Sequence, residues 1–173
     1  MKYMDVSQEL MLLKKRAKAF SVPLAQEERG EQLAVIRFLL YPETFAIPVA
    51  SVHEVFSLRD LTVIPGTPEF VLGVMNYRST IVPVVNLKKL LGIREAGLTE
   101  MNKVLLLRND NMEFGLLCDR ILESGFILQD EIQEPPASLS KLGLEFIKGM
   151  AGPQTILLDG EALLNSRRLI VDA

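Results

Sequence analysis

Cysteine and histidine each occur once, as Cys118 and His53, so few side chains in this chain can act as a nucleophile or general base. One cysteine excludes an intramolecular disulfide. With no CxxC and no His-rich cluster, a Cys/His zinc site is ruled out. A Ser-His-Asp triad built on any other histidine is ruled out with it. Cys118 follows Phe114 and Leu116 at alternate positions, the pattern of a small buried hydrophobe in a strand, not of an activated thiol. His53 stands beside Glu54 in a run of period two, which puts Val52 and Glu54 on one face and His53 on the other. It reads there as a surface or structural histidine. Acidic residues are scattered, and spacing alone picks out no carboxylate pair. Neither a P-loop nor GxGxxG is present. Catalytic residues, a cofactor and a metal site are therefore not expected.

One segment carries more. From Pro65 the chain reads PGTPEFVLGVMNYRSTIVPVVNL. An apolar strand ends in the polar turn Asn76-Tyr77-Arg78-Ser79-Thr80, and a second strand returns. An arginine at a hairpin tip is either a solvated charge or a guanidinium that pairs with a carboxylate, such as Glu54, or reaches a protein partner.

The elements that hold these residues follow from composition and patterning. The 173 residues are 49% apolar and 24% charged, enough for one ordinary domain or two very small ones sharing a core. Nineteen basic against 22 acidic residues give net −3, which argues against nucleic-acid binding through overall positive charge. No stretch of about 18 uncharged apolar residues is present, so no membrane span or direct membrane insertion is expected. Residues 1–20 lack a signal-peptide pattern, because their charges come late and their apolar stretch, Leu10 to Leu13, is short. A cytoplasmic protein is the expectation.

The chain divides near residue 30. Before it, Val6, Leu10, Leu13, Ala17 and Phe20 recur at helical spacing. Residues 1–30 are thus expected to form a helical extension. Its basic cluster, Lys14, Lys15, Arg16 and Lys18, reads as a solvated helix C-terminus or as part of a helix that docks on a partner or on the protein's own body. From Gln32 short apolar runs alternate with turn signals: AVIRFLLYPE, TFAIPV, TVIPGTPEF, TIVPVVNL, KVLLLRNDN, MEFGLLCD and TILLDG. Many short strands with tight turns predict an all-β barrel or sandwich. Asn109-Asp110-Asn111 is a hairpin signal, and 86–92 and 159–166 read as single helical turns. The runs FAIPVASVHE (45–54) and FGLLCDRILE (114–123) echo one another at an offset of 69 residues. VVNxxxLL (84–91) echoes LLDxxxLL (157–164), and GVM (73–75) echoes GMA (149–151). The echo predicts two similar β modules packed together, with a boundary near 90–105.

These segments resemble the CheW family, the adaptor proteins of bacterial and archaeal chemosensory arrays. The family pattern runs F-x-L, Y/F-G-I-x-V-x-x-V-x-E-I, then V-P-x-x-P-x-F-x-x-G-V-I-N-L-R-G-x-I-V-P-V-I-D-L-R. This chain has FLL (38–40), FAIPVASVHEV (45–55) and VIPGTPEFVLGVMNYRSTIVPVVNLK (63–88). FGLLCDRILE, FIKGMA (146–151) and TILLD (155–159) resemble the family's second half, so the likeness covers about residues 33–171. It implies a mainly β fold of two packed five-stranded SH3-like β-barrels in residues 31–173, with room for terminal strands to cross between them, behind the N-terminal α-helix. It implies a non-enzymatic adaptor that binds the regulatory domain of the chemotaxis histidine kinase and the cytoplasmic tip of chemoreceptors, held at receptor arrays by protein contacts. Residue by residue it places partner contact at Val52, Glu54, Gly73, Asn76 and Arg78, with Glu54 and Arg78 close together. The chain departs from the pattern at Ser79, where the family favours glycine, and at Asn86 and Lys88, which replace Asp and Arg and remove options for a bidentate ion pair. A second reading is a scaffold of the same fold that serves another signalling or localisation pathway through its N-terminal helix.

Overall fold

The computed structural model describes residues 6–19, 30–94, 102–137, 139 and 143–169. Helix α1 (Val6–Ala19) precedes the strands β1 (Gln32–Leu40), β2 (Glu43–Pro48), β3 (Val52–Ser57), β4 (Val71–Tyr77) and β5 (Thr80–Val85). After the short helix α2 (Leu87–Leu91) come β6 (Lys103–Arg108), β7 (Glu113–Cys118), β8 (Arg120–Leu128), β9 (Ile132–Gln133), β10 (Ile147–Ala151) and β11 (Thr155–Leu158), then the short helix α3 (Gly160–Leu164). Helices α2 and α3 are the two predicted single turns. Asn86 Oδ1 accepts from Lys88 N (3.1 Å) to cap the first, and Asp159 Oδ1 accepts from Ala162 N (3.0 Å) to cap the second. Asn86 therefore supplies the cap by itself, without the negative charge of the aspartate in the family pattern.

The strands form two sheets, in the orders β8-β1-β2-β11-β10-β9 and β3-β6-β7-β5-β4. The mainly β architecture with an N-terminal helix is as expected, but two details differ from a pair of closed five-stranded barrels. The first sheet has a sixth strand, and among the described residues no backbone ladder closes either sheet. The sixth strand is β9, which pairs Ile132 and Gln133 with Ala151 and Met150. Its counterpart beside β4 is a single bridge, Thr62 to Val74, so the same feature counts as a strand once and as a bridge once.

Each half of the sequence gives strands to both sheets. β1 and β2 enter the first sheet, and the chain then crosses to the second for β3, β4 and β5. β6 and β7 begin in the second sheet, and the chain crosses back for β8, β10 and β11. The pairings repeat accordingly. β1–β2 and β6–β7 are antiparallel hairpins, β11–β2 and β5–β7 are parallel, and β1–β8 and β3–β6 are antiparallel. Both sheets draw strands from either side of the interval 90–105.

Burial on both strand faces explains why the runs read as continuous apolar stretches instead of an alternation. In β6, Leu105 and Leu107 join a large core between the sheets, while Val104 and Leu106 fill a smaller one within the curl of the second sheet with Met75, Val82, Val84 and Leu117. Val35, Ala46, Ile127 and Leu157 fill the matching space in the first sheet. Phe38 and Phe45, directly opposed on β1 and β2, stack at 5.9 Å in the shared core.

Helix α1 is seated on this body. Leu10 is buried in the shared core, and Ser7 Oγ donates to the carbonyl of Val55 on β3 (3.0 Å). Partial burial lowers the pKa of Lys14 from its ordinary value. Helix α1 thus docks on the protein's own body, while of its basic cluster Lys14 is half-buried and Lys15 is exposed. Arg16 and Lys18 lie outside the residues whose side chains are described.

Candidate partner-binding site

Arg78 and Ser79 form the two-residue tip of the β4–β5 hairpin, with φ of 48° and 66°. Two successive positive φ values give the tight reversal that matches strand twist. For residues with a Cβ the left-handed conformation costs about 1 kcal/mol each. The glycine that the family favours at the second position would remove one such term.

The reversal aims Arg78 across the open side of the second sheet. Its Nη2 donates to Glu54 Oε1 on β3 at 3.0 Å. β4 and β3 are the outermost strands of that sheet, so an ion pair joins edges that no ladder joins. The Arg78 guanidinium lies 5.2 Å from the centre of the Tyr77 ring, which stacks on Phe56 at 4.1 Å. The two partners are unequally sunk, since the Arg78 side chain is 75% exposed and that of Glu54 is 15% exposed.

A break in the β3–β6 ladder reverses one expectation about β3. The register shifts between Val52 and Glu54, where two steps along β3 match one step along β6. The irregularity breaks the period of two, and His53 and Glu54 line the same pocket instead of opposite faces. That pocket holds about 220 Å³ and is bounded also by Tyr77, Arg78, Thr80, Leu106, Arg108 and Glu113. Arg108 pairs through Nε with Glu113 Oε2, and its Nη1 lies 3.3 Å from His53 Nε2. Arg108 and Glu113 are directly opposed on β6 and β7. They flank the turn in which Asn109 Oδ1 accepts from Asn111 N (2.9 Å) and Met112 N (2.7 Å). Opposite charges on either side of an Asn-Asp-Asn hairpin were a legible signal for this second pair, and the sequence reading did not use it.

The remaining expected contact residues are placed differently. Asn76 is exposed on β4. Val52 is 1% exposed and packs in the shared core. Gly73 is buried, and a Cβ there would overlap the Thr62 carbonyl, whose oxygen accepts from Val74 N at 2.8 Å. Val52 and Gly73 thus shape the surface from beneath it.

An ion pair between a buried lysine and a half-buried aspartate lies away from this pocket. Lys88 Nζ sits 3.0 Å from Asp119 Oδ2, which also accepts from Tyr41 N (2.7 Å). Lys88 keeps a single-point ion pair where a guanidinium could have made a fork. Burial first, and the Asp119 charge second, push the Cys118 thiol far above its ordinary pKa, so it stays neutral and unreactive. Among the described residues no group of three or more His, Cys, Asp or Glu could hold a metal, and no helix is long and apolar enough to cross a membrane.

A model of the CheW-like domain family matches residues 34–168. The chain is 32% identical over 155 residues to the chemotaxis protein CheW of Treponema pallidum, covering 86% of this chain and 90% of that one. It is 31% identical over 135 residues to the chemotaxis protein CheW of Helicobacter pylori, covering 78% and 82%. The crystal structure of the scaffolding protein TtCheW from Thermoanaerobacter tengcongensis superimposes with a TM-score of 0.66 at 30% identity, over 75% of this chain and 90% of that one.

Proposed function

The chain belongs to the CheW-like domain family, and from that membership we infer that it is a chemotaxis adaptor coupling chemoreceptors to the histidine kinase. It works by contact, without catalysis. Its partners are the regulatory domain of the chemotaxis histidine kinase and the cytoplasmic tip of the receptors, and these contacts hold it at receptor arrays. Residues 31–173 are the working unit and the N-terminal helix is an accessory to it.

One observation carries the assignment of the site. Glu54 and Arg78, 24 residues apart, meet at 3.0 Å on the open side of the second sheet, where a rigid pair can present one charge to a partner. Glu54 holds the guanidinium, Tyr77 supports it from one side, and Arg78 and Asn76 face the partner. Val52 and Gly73 act as positioning residues, one packing beneath β3 and the other letting the Thr62 segment lie against β4.

Calorimetric titration with the kinase regulatory domain and with the receptor tip of the same organism tests this reading. Saturable binding is expected, at micromolar strength for a transient signalling contact. Arg78→Ala should weaken it about tenfold, the loss of one charge-assisted contact. A variant lacking residues 1–30 should bind like the full chain, provided its melting curve shows it folded. Folded wild-type protein that binds neither partner would overturn the reading.

A further inference from the structure

We propose that Arg108 and Arg78 together form a two-guanidinium clamp that takes a carboxylate side chain of the protein partner, with His53 and Glu113 holding Arg108 in place. The proposal deepens the adaptor reading and rests on Arg78 being at the partner-facing site.

Both guanidiniums line the same pocket of about 220 Å³, with His53, Glu54, Tyr77 and Glu113 around them. Counted as charges, two arginines and two glutamates cancel. Counted by exposure they do not. The arginine side chains are 75% and 48% exposed, and the glutamates that pair with them are 15% and 20% exposed. The carboxylates are sunk and the cations are presented, so an approaching group meets positive charge on a chain whose net charge is −3. A guanidinium has five N–H donors in a planar fork. Glu54 takes one from Arg78, while Glu113 and His53 engage Arg108 through Nε and Nη1. Fork donors therefore remain on both for an acceptor lying between them, and a carboxylate matches that geometry bidentately. Both cations are held before binding. Arg78 is fixed by Glu54 and the Tyr77 ring, Arg108 by its cross-strand neighbour and the displaced His53, so little side-chain freedom remains to be lost. A carboxylate of Asp or Glu on the partner is thus the ligand chemistry that the pocket fits.

The test uses the full chain with two probes, the kinase regulatory domain and the receptor tip of the same organism, at low and high salt. Arg108→Ala should weaken one of the two about tenfold and flatten its salt dependence. Arg108→Lys should keep part of the affinity, because charge survives without the fork. Arg108→Glu should weaken it about a hundredfold, by loss and repulsion together. Changing one Asp or Glu of that partner to Lys should restore binding to Arg108→Glu. Melting curves verify that each variant is folded, and Arg108→Lys keeps the test decisive if the charge reversal is not. If Arg108→Ala and Arg108→Lys bind both probes like wild type while Arg78→Ala weakens, the clamp is overturned and the site at Arg78 stands. If Arg78→Ala is silent as well, both fall, and a wild-type chain that binds neither probe removes the adaptor reading and the clamp together.

Discussion

The β4–β5 hairpin and the β10–β11 hairpin occupy equivalent places in the two repeats and both turn through positive φ, yet their tips differ in charge and in the residues that carry the turn. The first turns on Arg78 and Ser79, both forced to positive φ, with a charge thrown across to Glu54. The second turns through Gly152 at φ 79°, followed by Pro153, with no charge at the tip. Glu54 has its own equivalent in Glu123, which lies 3.6 Å from Arg37 of the neighbouring strand with 68% of its side chain exposed. Even the ladder irregularities repeat. The one at His53 answers one at Leu122, and the shift between Val71 and Gly73 answers one between Ile147 and Gly149. The backbone path is thus traced twice, and a pocket of about 450 Å³ lies beside the β10–β11 tip as well, but Pro153, Gln154 and Thr44 line it where Tyr77, Arg78 and Glu113 line the first, so among the described residues the presented cations and the aromatic support stand at one tip only. What the duplication preserves is the part that packing dictates, and the repeats are free to diverge where side chains meet solvent or a partner.

The largest expected break in the comparison is Asp119→Ala. Lys88 is 5% exposed and its ammonium would lose its counter-charge inside the protein. Asp119 itself is half-buried, but the charge left uncompensated would be the buried one, and that costs about 3 kcal/mol, a fall in Tm of roughly 10 °C for a chain of this size. The equivalent positions in the other repeat are Ala50 and Glu161, both exposed, so Ala50→Ser should leave the melting curve unchanged. A small effect of Asp119→Ala would mean that Lys88 reaches water, and that the difference between the two repeats at these positions carries little energy.

Next in size is a test of what the repeats share. A Cβ on Gly73 would overlap the Thr62 carbonyl, and one on Gly149 would overlap the Gln133 carbonyl. Gly149→Ala should destabilise by about 2 kcal/mol, the usual scale of forced overpacking, and Gly73→Ala by about 1 kcal/mol more, because its φ of 155° is strained for a residue with a Cβ. Denaturant titration of both variants checks the equivalence. A gap between the two well beyond that φ penalty would show that the two-residue β9 gives way where the Thr62 segment does not, and the two repeats would then differ in rigidity as well as in charge.

How far these features were legible depends on which forces set them. Runs such as KVLLLR marked strands because both faces are buried, and the spacing of 69 and 73 residues marked the repeat because packing constrains both copies alike. Helix caps at Asn86 and Asp159 were legible from local chemistry. The interleaving of the repeats between two sheets entered only as the strand crossing that the family resemblance implies, since pairing a strand with one 69 residues away or with its neighbour leaves the same apolar pattern. The placement of His53 was missed for a related reason: a ladder irregularity shifts a side chain to another face without changing any residue type. Arg108 and Glu113 were legible as opposite charges flanking the Asn109-Asp110-Asn111 turn, but their direct opposition follows only once that hairpin is given its register.

A third comparison concerns the tips themselves. Ser79→Gly should stabilise the chain by about 1 kcal/mol, because glycine reaches φ 66° without the Cβ penalty. Gly152→Ala should destabilise by about the same amount, since its site at φ 79° has open space around it and only the backbone objects. Opposite signs in thermal melts would show that one hairpin carries strain and the other avoids it. If Ser79→Gly also leaves affinity for the kinase domain and receptor tip unchanged, the strain at Ser79 plays no part in aiming Arg78.

The smallest expected effect on stability is the most discriminating for the site. With Arg78 largely in solvent, its pair with Glu54 contributes less than about 1 kcal/mol, so Glu54→Gln and Arg78→Ala should melt close to wild type while losing affinity. Combining Glu54→Arg with Arg78→Glu restores an attraction between the same two positions. The positions are not interchangeable, however, because one is sunk at β3 and the other stands at a hairpin tip. The exchanged pair sinks the cation and presents the anion. If a partner reads the pair only as a brace that closes the sheet, the double variant should regain the affinity lost in each single one. If a partner reads the presented charge, the double variant should melt like wild type and still bind at least about tenfold more weakly. The unequal exposure of the two side chains makes the second result the expected one, and calorimetry on the four proteins separates the two.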